Sequence, residues 1–315
     1  LNYAPSSRLS AFVGGNLFGD SRNTGTPLSY AHRDQRDLSA GLDLGQYSTG
    51  MLGLRAWDGR QIENQRSTAF RSAATRAAED SSLRATIPSH DWGGSAIWTR
   101  TQLAFLESFS IGGDFRHYQG DYNEIDFNTG GCAAANPLTC GTIARTVSSG
   151  GSQNLSGIFA QATFAPWTPL RVELSARGDR WDNNDGHSVD NTPPSPTYNT
   201  ASYGDSSKTA FSPRAGIRYQ LFSSFALHAA YYRAFRAPNL AELYRKQVSS
   251  TQVTIPNPYL SSENAEGREA GFDWQPLDWV QMKGTWYVAD YNNVNSPQTF
   301  EAPGPTPAGC PATGT

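Results

Sequence analysis

Long apolar runs are missing from this sequence. Nothing in it approaches the roughly 18 consecutive apolar residues of a membrane-spanning helix, which excludes a helical membrane protein. The same absence leaves a β-barrel open, because a barrel strand needs an apolar residue only at every second position. Charge of one sign is lacking too. Lysine occurs only at 208, 246 and 283, and the formal net charge is −3, so there is no basic patch to hold nucleic acid. The five histidines (His32, His90, His117, His187 and His228) have no metal-ligand spacing to one another or to the cysteines, so no metal is expected. Gly-x-Ser-x-Gly, a P-loop and Gly-x-Gly-x-x-Gly are all absent, so no catalytic residue and no cofactor is assigned. Leu1 is preceded by no initiator Met or leader, and both ends read as cut from something longer.

What is present is extended chain. Glycine (30), phenylalanine (15), tyrosine (14) and tryptophan (8) are plentiful, and the mean hydropathy is −0.53. Period-two alternation marks eleven strands, near 8–18, 36–47, 50–58, 92–104, 108–122, 153–165, 169–182, 208–220, 225–236, 267–276 and 279–293. Leu170, Val172, Leu174 and Ala176 share one face, while Arg171, Glu173, Arg177 and Asp179 share the other. Further on, Phe211, Ala215, Ile217 and Tyr219 oppose Arg214 and Arg218, and Val280, Met282, Trp286 and Val288 oppose Gln281 and Lys283. Ionised residues repeated along one face must meet water or one another. A wet lumen and the outer face of a soluble sandwich both satisfy that condition.

The connections discriminate. Short links at 48–49, 105–107, 166–168, 221–224 and 277–278 alternate with long ones at 19–35, 59–91, 123–152, 183–207 and 237–266. Short turns at one rim and long loops at the other is the habit of an outer-membrane barrel. A Greek-key sandwich has no reason to keep it. Trp167 and Trp279 fall at short-turn ends and Trp181 near a long-loop end, where interfacial aromatic belts or ordinary sheet packing would place them. Asp179, Asp182, Asn183, Asn184 and Asp185 miss the spacing of a calcium loop and read as turn residues between strands, with weak cation binding as the alternative. Cys132 and Cys140 sit in a Gly- and Pro-rich loop where a local disulfide or two free thiols are both consistent; Cys310 is left over.

One segment stands apart. After Phe235, Arg236 and Ala237, Pro238 ends a strand because it has no N–H to donate. Leu240, Leu243 and Tyr244 then fall at i, i+3 and i+4, the apolar face of a helical turn folded into a barrel mouth. Glu242 lies within that turn; Asn257, Pro258, Leu260 and Glu263 follow, then Glu269 and Gly271. This phrase (F-R-A-P-x-L-x-E-L-Y, N-P-x-L, E-x-G) resembles the outer-membrane TonB-dependent receptors, departing at Ser262 where that family usually has proline. Looser likeness extends upstream through 212–219, 176–181 and 112–116.

The resemblance implies an all-β, antiparallel up-and-down transmembrane barrel of the bacterial outer membrane, 22-stranded when whole and plugged by an N-terminal domain. Residues 1–315 would then be a partial barrel, about half of it, without plug, TonB box or final strands. It also implies a receptor, not an enzyme. Its partners would be outer-membrane lipid, its own plug, TonB and a small-molecule nutrient such as a siderophore, a corrinoid or an oligosaccharide. Arg171, Glu173, Arg177, Asp179, Arg214 and Arg218 would line the lumen and face the plug, and the loops 59–91, 123–152, 183–207 and 237–266 would form the ligand mouth. Two rivals stand beside this reading: a passive porin, and a soluble extracellular β-rich binding protein.

Overall fold

Alternation along an extended chain gives a single sheet two unlike faces, and the chain uses this throughout. The computed structural model describes residues 2–71, 75–76, 78–129, 141–191, 202–248 and 253–295. Its strands are β1 (Asn2–Ser6), β2 (Leu9–Asn23), β3 (Tyr30–Gln46), β4 (Gly50–Phe70), β5 (Glu79–Leu103), β6 (Leu106–Phe127) and β7 (Ile143–Trp167). They continue with β8 (Leu170–Asp190), β9 (Ser206–Phe222), β10 (Phe225–Arg236), β11 (Gln247–Val248), β12 (Val253–Thr254), β13 (Glu263–Leu277) and β14 (Val280–Asn292), with one helix, α1 (Leu240–Tyr244). Twelve strands form one antiparallel meander in the order β1 to β10, then β13 and β14, while β11 and β12 make a separate small ladder. Among the described residues β1 and β14 each pair on one side only, so the sheet is an unclosed barrel wall.

The register sorts the faces. Ile111, Ala160, Ala176 and Pro213 lie in one hydrogen-bonded row, and Ser110, Gln161, Ser175 and Arg214 in the row beside it. On the first face Ile158 is 73% exposed, Phe211 59% and Trp286 66%. Large apolar residues this bare in strand after strand mark a surface covered by lipid rather than water. Among the described residues the only other sheet is the two-stranded β11–β12 ladder, an arrangement that does not favour the sandwich rival. At the short-turn rim Phe105 stacks on Phe164 at 6.0 Å, and Trp167 and Trp279 are exposed at the ends of other turns along that rim.

All eleven expected strands are present, and β1 adds a twelfth. Several run further than alternation showed. The link expected at 59–91 shrinks to 71–78, and the one at 123–152 to 128–142, because β4 through β7 continue as tall hairpins. A tilted strand crosses the bilayer in about 9–11 residues, so the far halves of these 21- to 25-residue strands stand clear of the membrane. There both faces meet water, and alternation fades from the sequence. The acidic cluster is corrected likewise: Asp179 to Asp185 lie inside β8, not in a turn, with Asp185 at φ 55° where the ladder to β7 shifts register.

Candidate functional site

At the long-loop rim the chain leaves β10 and folds a strap across the polar face. Pairing of β9 with β10 ends at Arg214 opposite Tyr232, while β9 runs on beside β8 alone. In the parted region Phe235 stacks on Trp181 at 5.2 Å. Trp181 is thus fully buried among side chains, which decides for packing over an interfacial belt, the two roles its position had left open.

Local chemistry shapes the strap. Asn239 caps α1: the Glu242 N–H donates to its Oδ1 at 2.9 Å, and its own N–H donates to Glu242 Oε2 at 2.8 Å, a reciprocal capping box. Five residues are too few to hold a helix alone; packing does it. Leu240, Leu243 and Tyr244 are buried together, with Tyr118, Tyr203 and Leu260 against them, and Tyr203 stacks on Tyr244 at 5.4 Å. Room for the Tyr244 ring exists because its neighbours on β7 and β8 are glycines. A Cβ on Gly186 would come within 2.5 Å of that ring, and one on Gly151 within 3.1 Å.

Polar ties finish the docking. Gln153 Nε2 donates to the Pro238 carbonyl at 3.2 Å and to Asn183 Oδ1 at 2.7 Å. Arg236 forks between Glu242 and Glu263, with N–O distances of 2.9 and 2.6 Å. Lys208 donates to the Leu260 carbonyl at 2.9 Å. The motif residues therefore meet in one place, except two. Glu269 and Gly271 lie down β13, paired with Ala230 and His228, and Gly271 is required there because a Cβ would meet the Gly284 carbonyl at 2.3 Å. Pro258 sits in the turn before Leu260, and the Tyr259 N–H donates to Asn257 Oδ1 at 3.0 Å.

The charged residues singled out by alternation share the face on which α1 packs. Arg177 donates to Asp114 at 2.6 Å and pairs with Asp179 at 2.7 Å; Arg171 pairs with Glu107 at 2.6 Å. Arg214 lies 3.8 Å from Glu173, and Arg218 lies 3.4 Å from Asp273. Cys132, Cys140 and Cys310 lie outside the described residues.

A second cluster escaped sequence reading. Arg145 is buried 2.7 Å from Glu124, 3.1 Å from Asp126 and 3.9 Å from Asp190, and Lys246 at the end of the strap pairs with Asp190 at 2.5 Å. Burial and the neighbouring Glu124 carboxylate raise the Asp126 carboxyl to about 6. The Arg245 guanidinium covers the Tyr122 ring at 3.6 Å, and the Tyr122 hydroxyl donates to Glu124 at 2.5 Å. These residues come from four separate segments, and no spacing in the sequence links them.

A meander with an apolar exposed face, a polar face crossed by a folded strap, short turns at one rim and tall hairpins at the other is the wall of an outer-membrane β-barrel. Comparison with known proteins narrows the class. The family model described as TonB dependent receptor-like, beta-barrel matches residues 1–310, and the chain belongs to that family, whose members are outer-membrane transport receptors. Solved structures agree in fold. The ferric yersiniabactin uptake receptor FyuA from Yersinia pestis aligns with TM-score 0.65 at 8% identity, over 92% of this chain and 44% of that one. The copper transporter OprC aligns with TM-score 0.68 at 13% identity, over 91% and 43%. The ferric-catecholate import receptor Fiu from E. coli K12 gives 0.66 at 12% identity, over 92% and 50%. The chain thus spans about half the length of these receptors or less. No curated protein matches it in sequence.

Proposed function

We propose that this chain is the wall and part of the mouth of an outer-membrane receptor. The receptor takes a scarce small-molecule nutrient from outside the cell and imports it with energy supplied through TonB. The observation that carries this reading is the family match over residues 1–310. It is supported by neighbours whose own names describe uptake of ferric yersiniabactin, copper and ferric catecholates. In this reading the tall hairpins and the strap gather the ligand, which belongs to the siderophore, corrinoid or oligosaccharide class. The paired charges around Arg171, Arg177, Arg214 and Arg218 face a plug domain, offering it a hydrogen-bonding surface without a large net charge.

A passive porin shares the strand rhythm, but the family match does not favour it. The test is uptake in cells that carry the complete receptor, with and without TonB. Ligand accumulation that ceases when TonB is deleted or the proton gradient is dissipated supports the proposal. Uptake that continues unchanged, at a rate proportional to concentration, would mean a pore.

A further inference from the structure

The strap leaves the wall and returns to it at one rung. Arg236 ends β10, Glu263 begins β13, and the two pair across the ladder, so residues 237–262 loop out between them. The Arg236 guanidinium spans this neck: Nε and Nη2 donate to the two carboxylate oxygens of Glu263 at 2.6 and 2.8 Å. It forks a second time, Nη1 and Nη2 donating to Glu242 on α1 at 3.0 and 2.9 Å. Glu263 Oε1 also accepts the Asn295 N–H at 2.8 Å, just beyond the end of β14, where Asn293 turns the chain with φ 56°.

Stability does not account for this arrangement. The Arg236 side chain is 44% exposed, and surface ion pairs contribute little to a fold. What two forks on one plane supply is geometry, since a bidentate guanidinium fixes direction as well as distance. Glu242 stands off the face of α1 that Leu240, Leu243 and Tyr244 bury, so tying it to the neck sets the angle at which that face meets β7 and β8. Both carboxylates accept from Nη2, so they are near neighbours, and the guanidinium between them holds two like charges together. Arg236, with help from the Asn295 N–H, holds the Glu263 carboxyl down to about 2, so its charge persists wherever a cell lives.

We propose that Arg236 is a positioning residue that joins two parts of the mouth into one moving unit. It holds the strap folded against the wall and, through Glu263, holds the chain that leaves β14. Loosening either part loosens the other, because both hang on one guanidinium and such coupling is reciprocal. The coupling needs no ligand, so its failure would leave the receptor reading untouched.

The experiment is hydrogen exchange on the complete receptor in detergent, read at the amides of Leu243 and Arg245 in the strap and of Asn295 beyond β14. Arg236→Ala should speed all three about tenfold, with the ladder amides of β10 and β13 unchanged. Adding Glu242→Gln to that variant removes the repulsion yet keeps the helix cap, because glutamine serves at N3 as glutamate does; the strap amides should return to within about threefold of the parent. A merely structural loss would show no such recovery. Arg236→Lys keeps the charge without the double fork and should speed all three about threefold to fivefold. Heat-modifiable gel mobility reports whether each variant is folded; if Arg236→Ala is not, Arg236→Lys decides alone. Exchange within about twofold of the parent at the strap or at Asn295, or no recovery on adding Glu242→Gln, overturns the proposal.

Discussion

Truncation of Tyr244 to alanine should release the strap without unfolding the wall. The side chain is 2% exposed and packs between Tyr203 and the glycines of β7 and β8. Removing a buried aromatic ring costs about 3–5 kcal/mol. The sheet does not depend on this contact, since each strand is held by its own ladder; α1 does, because a five-residue helix has little stability of its own. The cost therefore falls on a local opening rather than on global unfolding. A loss of about 3 kcal/mol raises the open population roughly 100-fold. Hydrogen exchange on the complete receptor in detergent reads it at the amides of Leu243 and Arg245, which donate to the carbonyls of Asn239 and Ala241 at 3.1 and 3.0 Å. Both should exchange roughly 100-fold faster, with the strand amides of β7 and β8 unchanged. Gly186→Ala should do the same from the opposite side, since its methyl would stand 2.5 Å from the Tyr244 ring. Exchange within about threefold of the parent in both variants would refute the claim that this ring holds the strap.

Three further outcomes follow from the same geometry. Ile158→Arg, on the lipid-facing side and 73% exposed, should impair folding into vesicles by about 2–4 kcal/mol, whereas Gln161→Arg on the opposite face should cost far less; equal effects would invert the assignment of faces. Asp126 takes up a proton on folding between its ordinary value of 3.8 and about 6, so its contribution to stability rises as pH falls from 7 through 6 towards 4; thermal melts of Asp126→Asn should lack that component of the pH dependence, and identical pH profiles would count against it. Lys246→Met should loosen the strap's C-terminal end, by less than the 3–5 kcal/mol or so typical of a broken buried pair because Arg145 stays 3.9 Å from Asp190; limited proteolysis after residue 244 would show faster cleavage, and unchanged cleavage would mean the pair is not holding the strap.

How far the sequence could be read depended on where each residue sits relative to lipid. Between Leu170 and Asp179 one side meets hydrocarbon and the other a wet interior, and that contrast writes itself into the sequence as strict alternation. Past the membrane edge the contrast vanishes, so Gly59 to Phe70 is as much a strand as the residues before it yet carries no period-two signal. The helical turn at Leu240 was readable from its i, i+3, i+4 spacing and from Pro238 before it. For Trp181 the sequence left an interfacial belt and ordinary packing open, because its position near a loop could not reveal that Phe235 would fold back onto it.

Local pattern by itself determined the membrane-level stretches of eleven strands, the alternation of short and long links, the apolar face of α1, and through its motif the family. These depend on neighbours within a few positions, where backbone geometry dictates which side chains share a face. Only the tertiary structure decided what that apolar face packs against, which glycines make room for Tyr244, and that Glu124, Asp126, Arg145, Asp190 and Lys246 share one buried cluster. Such contacts arise where a strap folds across strands distant from it in sequence. Their energies depend on burial and distance, which no local spacing encodes.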